Sequence, residues 1–318
     1  MPSCCLPVKA GMFPQEFDPM KVPKTAIIGA SGFIGKALLS LHRETHPDCV
    51  GTALNQLKGD LKYLDLLSCD IAPLKLAESG HQDAIITAGI ARIHVPQKEK
   101  EYTKKVTQGT LKLIGQLVDE GIKPIYISSE CVFDGRTGNY GDDAPVNPIN
   151  GYGKQKAEIE QGIREISKGK CLIARFSKVF TLEKKDGSIF DEMAAALTSG
   201  GTIRAAYDQI FSPTLLSDAI NALKILQTKN ATGAFNISTT EVWSRYDLGL
   251  TMADHLGVGH EKVEKISLDD LDEVINNEVF SRPKNTSLNV MKLIKETKIT
   301  FTPIAQCMEI IAKKWTTR

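Results

Sequence analysis

The run Thr25-Ala-Ile-Ile-Gly-Ala-Ser-Gly-Phe-Ile-Gly35 sets Gly29, Gly32 and Gly35 at G-x-x-G-x-x-G spacing, between a strand-length apolar stretch and a helix-length amphipathic one. That placing limits the fold more than any other feature of the chain. A strand entering a helix through such a turn needs glycine for three reasons: the tight turn, close approach of backbone to a pyrophosphate, and close packing of helix on strand. The helix start then offers free N–H groups and the positive end of its dipole to phosphate. Gly29, Ser31, Gly32, Phe33, Ile34 and Gly35 are therefore expected to contact a dinucleotide.

The rest of the chain continues the alternation. Lys24–Ile28 reads as a strand, Phe33–His42 as a helix, Cys49–Leu54 as a strand, and a helix-sized segment runs up to Ser79. Asp83–Thr87, Ile122–Ser128 and Cys171–Phe176 are further strands, separated by helices over Lys100–Glu120 and Tyr152–Ser167. Such alternation predicts an α/β fold with a doubly wound parallel sheet covered on both faces. The pattern changes after about Val179, with helices expected at Phe190–Leu197, Thr214–Leu226 and Ile304–Trp315 and a strand at Ala234–Ser238. The organisation expected is a lead-in over 1–22, a nucleotide-binding domain from 23–177 and 214–240, and a smaller discontinuous lobe from 178–213 and 241–318.

Length and charge exclude several classes. The chain has 318 residues, 42% of them hydrophobic, enough to bury a large core. A net charge of +1 gives no electrostatic footprint for nucleic acid or a membrane surface. No apolar run approaches the roughly 20 residues that span a bilayer. The proline-punctuated start (Pro2, Pro7, Pro14, Pro19, Pro23) has neither a signal h-region nor the Arg-rich character of a transit peptide. Seven cysteines, with no C-x-x-C or Cys/His ligand spacing, read as reduced thiols of a cytoplasmic protein. No metal site is expected; the oligomeric state is open, a homodimer included.

Two local patterns carry chemistry. The second strand ends at Leu54-Asn55, where a diol-binding acid would stand in an NAD site, and Lys58 follows within reach of a 2′-phosphate. Asn55 and Lys58 thus favour NADP, with NAD as the alternative. Tyr152-Gly-Lys-Gln-Lys156 opens a helix, so Tyr152 and Lys156 lie one turn apart on one face. An ammonium there stabilises a phenolate and reaches a ribose hydroxyl, which makes Tyr152 an acid–base group. Ser129 ends the preceding strand, where its hydroxyl can hold a substrate carbonyl.

These blocks, with Tyr126-Ile-Ser-Ser-Glu-Cys-Val-Phe-Asp-Gly135, Tyr207-Asp-Gln-Ile-Phe-Ser-Pro-Thr214 and Arg282-Pro-Lys-Asn-Thr-Ser-Leu288, resemble those of extended short-chain dehydrogenases/reductases. Within that superfamily the chain most resembles the dTDP-4-dehydrorhamnose reductase family, in consistent order from about Lys24 to the C-terminus. The resemblance implies a Rossmann-type sheet and puts Ser129, Tyr152 and Lys156 at the catalytic positions. It implies that Ala88-Gly89 passes under the cofactor and that Asp65-Leu66 meets the adenine. It implies that Glu130, Pro213, Thr214 and Arg282 line the substrate side beside Ser129, and a guanidinium fork at Arg282 suits a diphosphate. The implied activity is reduction of a 4-keto group on a nucleotide-activated deoxysugar, as in deoxysugar biosynthesis. The alternatives are an NAD-dependent epimerase or dehydratase, and a non-catalytic regulatory subunit resembling the beta subunit of methionine adenosyltransferase. The chain departs from the family pattern at Val106, where an Asn is usual, at Asn289, where Asp is frequent, and across Ala91–Lys98, which lacks an acidic stretch.

Overall fold

A computed structural model describes residues 22–55, 59–89, 100–271, 274–275, 278–279 and 282–317. The nucleotide-binding part runs β1 (Thr25–Ile28), α1 (Phe33–Arg43), β2 (Gly51–Ala53), β3 (Lys62–Tyr63), β4 (Asp83–Ile86), α2 (Lys100–Asp119), β5 (Lys123–Ser129), α3 (Gly151–Ile166) and β6 (Leu172–Phe176). The chain then leaves through β7 (Val179–Phe180), α4 (Ile189–Thr198), β8 (Ile203–Ala206) and β9 (Ile210–Phe211). It returns through β10 (Thr214–Leu215), α5 (Leu216–Thr228) and β11 (Gly233–Ile237). After these come β12 (Trp243–Ser244), α6 (Arg245–Leu256), β13 (Val263–Ile266), a short hairpin of β14 (Val274–Ile275) with β15 (Glu278–Val279), α7 (Met291–Thr297) and α8 (Ile304–Thr316).

Seven strands form one sheet in the order β11-β6-β5-β4-β1-β2-β3, every neighbouring pair parallel. This is a Rossmann-type α/β fold, as the alternation predicts. Parallel strands covered on both faces must be apolar on both, and β1 and β4 are buried at every residue. Alternate strand residues feed two cores. Ile27, Ile125 and Ile127 join Leu38 of α1 and Leu223 of α5 on one side. Ala26, Ile28 and Tyr126 join Leu113 of α2 and Ile163 of α3 on the other. A third core, built from Phe190, Leu248, Met252, Met308 and their neighbours, belongs to α4, α6 and α8. Leu288, Val290, Leu293 and Ile299, from the stretch grouped by sequence with the smaller lobe, pack in the first core against α5 and β11.

Two sequence expectations are corrected. No α-helix forms between Leu54 and Ser79 among the described residues; the chain there makes β3 and a single 3₁₀ turn, Ala72–Leu74. The Asp65 and Asp70 carboxylates accept from the backbone N–H groups of Leu67 and Ala72, and Pro73 removes a donor, so local bonds displace the helix. The helix expected from Thr214 begins at Leu216, because Thr214 and Leu215 pair with Val179 and Phe180 as a strand. The five described cysteines are free and buried, and no cluster of metal-ligating side chains occurs among the described residues. No described helix is long and apolar enough to cross a membrane.

Candidate active site

The glycine turn leaves β1 at the carboxyl edge of the sheet. A β-carbon on Gly35 would stand 2.2 Å from the Gly29 carbonyl oxygen, so only glycine lets α1 come down onto the turn. Gly32 is the N-cap of α1 and offers no side chain to its first amides. Those amides open into a cleft of about 460 Å³. Gly29, Ser31, Gly32, Phe33, Ile34 and Gly35 line one wall, Asp65 and Leu66 a second, and Ala88 and Gly89 a third, so the structure brings the sequence-expected groups together. An uncapped helix start and small strand ends around one cleft fit a dinucleotide.

Thr52, Leu54, Leu64, Thr87 and Tyr102 also line it and were not singled out from sequence; Val106, marked there only as a departure from the family pattern, lines it too. Leu54 and Thr87 could have been found, because they lie just beyond the ends of β2 and β4. Tyr102 and Val106, one helical turn apart on α2, carry no such signal. Asn55 is exposed beyond Leu54 and does not line the cleft. Lys58 lies outside the described residues.

The second part of the site is made by β5 and α3. Asn150 caps α3 by accepting from the Gly153 N–H at 2.8 Å. A β-carbon on Gly153 would meet the Cys131 carbonyl oxygen at 2.0 Å, so this glycine lets the helix start press against the turn after β5. That contact puts Tyr152 against the turn that carries Ser129, whose hydroxyl favours the charged form of the phenol. The Ser129 hydroxyl also donates to Glu130 Oε2 at 2.9 Å and accepts from the Cys131 N–H at 3.2 Å. Burial pushes the Tyr152 phenol above its ordinary value, Cys131 and Glu130 add to the rise, and Ser129 opposes it. Burial likewise raises the Glu130 carboxyl, against Lys178 and the Ser129 hydroxyl.

Lys156 differs from the simplest expectation. Its Nζ donates to the Ile127 carbonyl at 2.8 Å and stands 5.6 Å from the Tyr152 ring centroid. Burial brings it down to about 8. The trio is thus assembled, but without an ammonium paired to the phenol oxygen. One contact links it to the dinucleotide cleft: Gln155, beside Lys156, donates to Thr107, beside Val106, at 3.2 Å.

On the substrate side Pro213 and Thr214 are buried. The Thr214 hydroxyl donates to the Ser212 carbonyl and accepts from the Thr239 N–H, so it ties β10 to the turn after β11 and has no direct contact to offer a ligand. Arg282 is half-buried and close enough to Arg245 for its charge, after burial, to depress that guanidinium. Arg245 Nε is buried without a hydrogen-bond partner among the described residues, as are Ser177 Oγ, Gln209 Oε1 and Ser212 Oγ. Ser177 precedes β7, Gln209 and Ser212 flank β9, and Arg245 follows β12, so these groups collect along the strands joining the cores. Buried polar atoms of this kind await a polar ligand or ordered water. Nothing in the sequence marked Arg245.

The family described as the RmlD substrate binding domain matches residues 23–315. The chain belongs to that family. Among sequence relatives, this RmlD-family chain is 24% identical over 290 residues to the methionine adenosyltransferase 2 subunit beta of Xenopus tropicalis, covering 87% of this chain and 84% of that one. Its fold is that of dTDP-4-dehydrorhamnose reductase from Bacillus anthracis, solved in complex with NADP: TM-score 0.73, 21% identity, 92% of this chain and 99% of that one. It is also that of DesIV, a dTDP-glucose 4,6-dehydratase from Streptomyces venezuelae with NAD and TYD bound: TM-score 0.74, 16% identity, 92% and 96% coverage.

Proposed function

We propose that this RmlD-family chain is a nicotinamide-dependent reductase of a nucleotide-activated 4-keto-deoxysugar. The observation that carries the reading is the gathering of Ser129, Tyr152 and Lys156 at the carboxyl edge of the sheet, joined through Gln155 and Thr107 to the helix that lines the glycine-turn cleft. When bound, a nicotinamide cofactor supplies the hydride. The amides at the start of α1 hold its pyrophosphate. Ser129 turns its O–H from Glu130 to the substrate carbonyl, and Tyr152 delivers a proton to that oxygen as the carbon receives the hydride. A phenol raised by burial stays protonated at neutral pH, which suits a donor. Lys156 keeps two N–H bonds beyond the one to Ile127, enough for a ribose hydroxyl and for charge beside the phenolate that forms. Arg245 and Arg282 offer forks of donors to the diphosphate.

The test is NADPH oxidation with dTDP-4-dehydrorhamnose by the wild type and by Tyr152→Phe, Ser129→Ala and Lys156→Met. Tyr152→Phe is expected to lose about 10²–10⁴-fold in turnover with cofactor affinity kept. Lys156→Met should lose turnover and affinity together, and Ser129→Ala turnover alone. Full activity in Tyr152→Phe removes the assignment. A second reading, a non-catalytic subunit that binds the dinucleotide, is favoured by the relation to methionine adenosyltransferase 2 subunit beta over most of the chain. It is also favoured by a Ser129 hydroxyl and a Lys156 ammonium already engaged within the protein. It predicts tight NADPH binding without turnover, and altered methionine adenosyltransferase activity when the two proteins are mixed.

A further inference from the structure

Lys156 has an unusual seat. Its side chain is 8% exposed, and its Nζ lies 4.6 Å from the centroid of the Tyr126 ring, which is itself 1% exposed. The Tyr152 ring is on its other flank at 5.6 Å, and the Ile127 carbonyl accepts one N–H. Two residues along the same face of β5, Ser128 donates at 2.6 Å to Glu160, one turn beyond Lys156 on α3. Arg175 spans both oxygens of that carboxylate, through Nε to Oε1 at 2.9 Å and Nη2 to Oε2 at 2.7 Å. Strand and helix are therefore fixed against each other at two points, and the first of them is a cation over an aromatic face.

We propose that Tyr126 is a positioning residue: its ring carries the Lys156 ammonium, keeping it charged and aimed at the cofactor edge of the site. An ammonium with one carbonyl partner in a buried site lacks the solvation it had in water. The negative face of an aromatic ring restores part of it, without competing for the N–H groups that a ribose needs. Burial pushes the Tyr126 phenol itself far up, with Tyr152 and Glu160 adding, so the ring acts as a neutral quadrupole. The other groups that act on Lys156 are Glu160, which favours the charge, and then the Cys131 thiol. With Lys156 near 8, a modest loss of support decides whether it is charged at neutral pH. The proposal rests on the function proposed above only for what the charge is used for.

The experiment replaces Tyr126 by phenylalanine and then by phenylalanines of increasing ring fluorination, which keep the shape while emptying the ring face. Lysine side chains are titrated by ¹⁵N NMR in the cofactor-free protein, with Lys156→Met to assign the signal. Tyr126→Phe should titrate close to the wild type, and successive fluorination should lower the Lys156 titration stepwise, by about one pH unit across the series. Tyr126→Leu, checked for folding by circular dichroism, should fall at least as far. A Lys156 titration that does not move with fluorination overturns the proposal and leaves Tyr126 a packing residue. NADPH affinity, measured on the same variants by fluorescence, should weaken in the same order at neutral pH. Failure of every variant and the wild type to bind NADPH overturns the functional reading, while the lysine titration still decides the role of the ring.

Discussion

His42, on the last turn of α1, is fully buried, and neither ring nitrogen makes a well-formed hydrogen bond among the described residues. Burial pushes it down to about 3, with Lys224 and His46 adding and a weak interaction with Gln227 opposing. The folded state then binds fewer protons than the unfolded state between about 3 and 6.5, so stability rises with pH across that window and is lost as pH falls through it. Between neutral pH and about pH 4 this one residue should cost on the order of 3 kcal/mol. Urea unfolding of wild type and His42→Leu at both pH values checks this: the variant should lose less stability on acidification, whatever buried Asp83 contributes in the opposite sense. One residue past the cleft-lining Leu54, Asn55→Asp should move cofactor preference from NADP(H) towards NAD(H), because a carboxylate at a second-strand end binds a diol and repels a 2′-phosphate. Calorimetric titration with both cofactors measures it, and tighter NAD(H) binding by the wild type would reverse the premise. That Ser129, Tyr152 and Lys156 gather at one sheet edge was legible in the sequence, because the first ends a strand and the other two stand one helical turn apart. Arg245 was not, because its importance lies in an unfilled valence that only the folded chain reveals.

At the scale of elements, the contact between β5, α3 and β6 decides where Tyr152 stands. Glu160 and Arg175 form a buried pair, 0% and 2% exposed at the side chain, with Ser128 on one carboxylate oxygen and the Asp142 carbonyl on Arg175 Nη1. Removing one partner of such a pair leaves a buried charge and typically costs about 3–5 kcal/mol, whereas replacing both with apolar groups costs far less. Arg175→Met should therefore destabilise the protein more than Arg175→Met combined with Glu160→Leu. Urea midpoints for the single and double variants test the order, and equal losses would show that packing rather than charge dominates there. The sequence made both elements plain through apolar periodicity, yet it could not pair Glu160 with Arg175, which are 15 residues apart on different elements. Its one clear failure among the early elements, the missing helix before Ser79, came from aspartates that bond their own backbone more readily than they extend a helix.

For the whole molecule, the parallel sheet was legible because both of its faces had to be apolar, but the assignment of later segments to cores was not. Amphipathic helices such as α7 and α8 look alike in sequence, although α7 packs with the first core and α8 with the third. The chain crosses between those cores repeatedly, and three of the crossings run along paired strands. The chain leaves on β7, comes back on β10 hydrogen-bonded alongside it, and leaves again on β12, paired with β9. A body held by strands paired edge to edge cannot slide past its neighbour without breaking those bonds. The third core is therefore sewn to the sheet by backbone bonds, and a ligand that spans Arg245 and the sheet edge would lie across that seam.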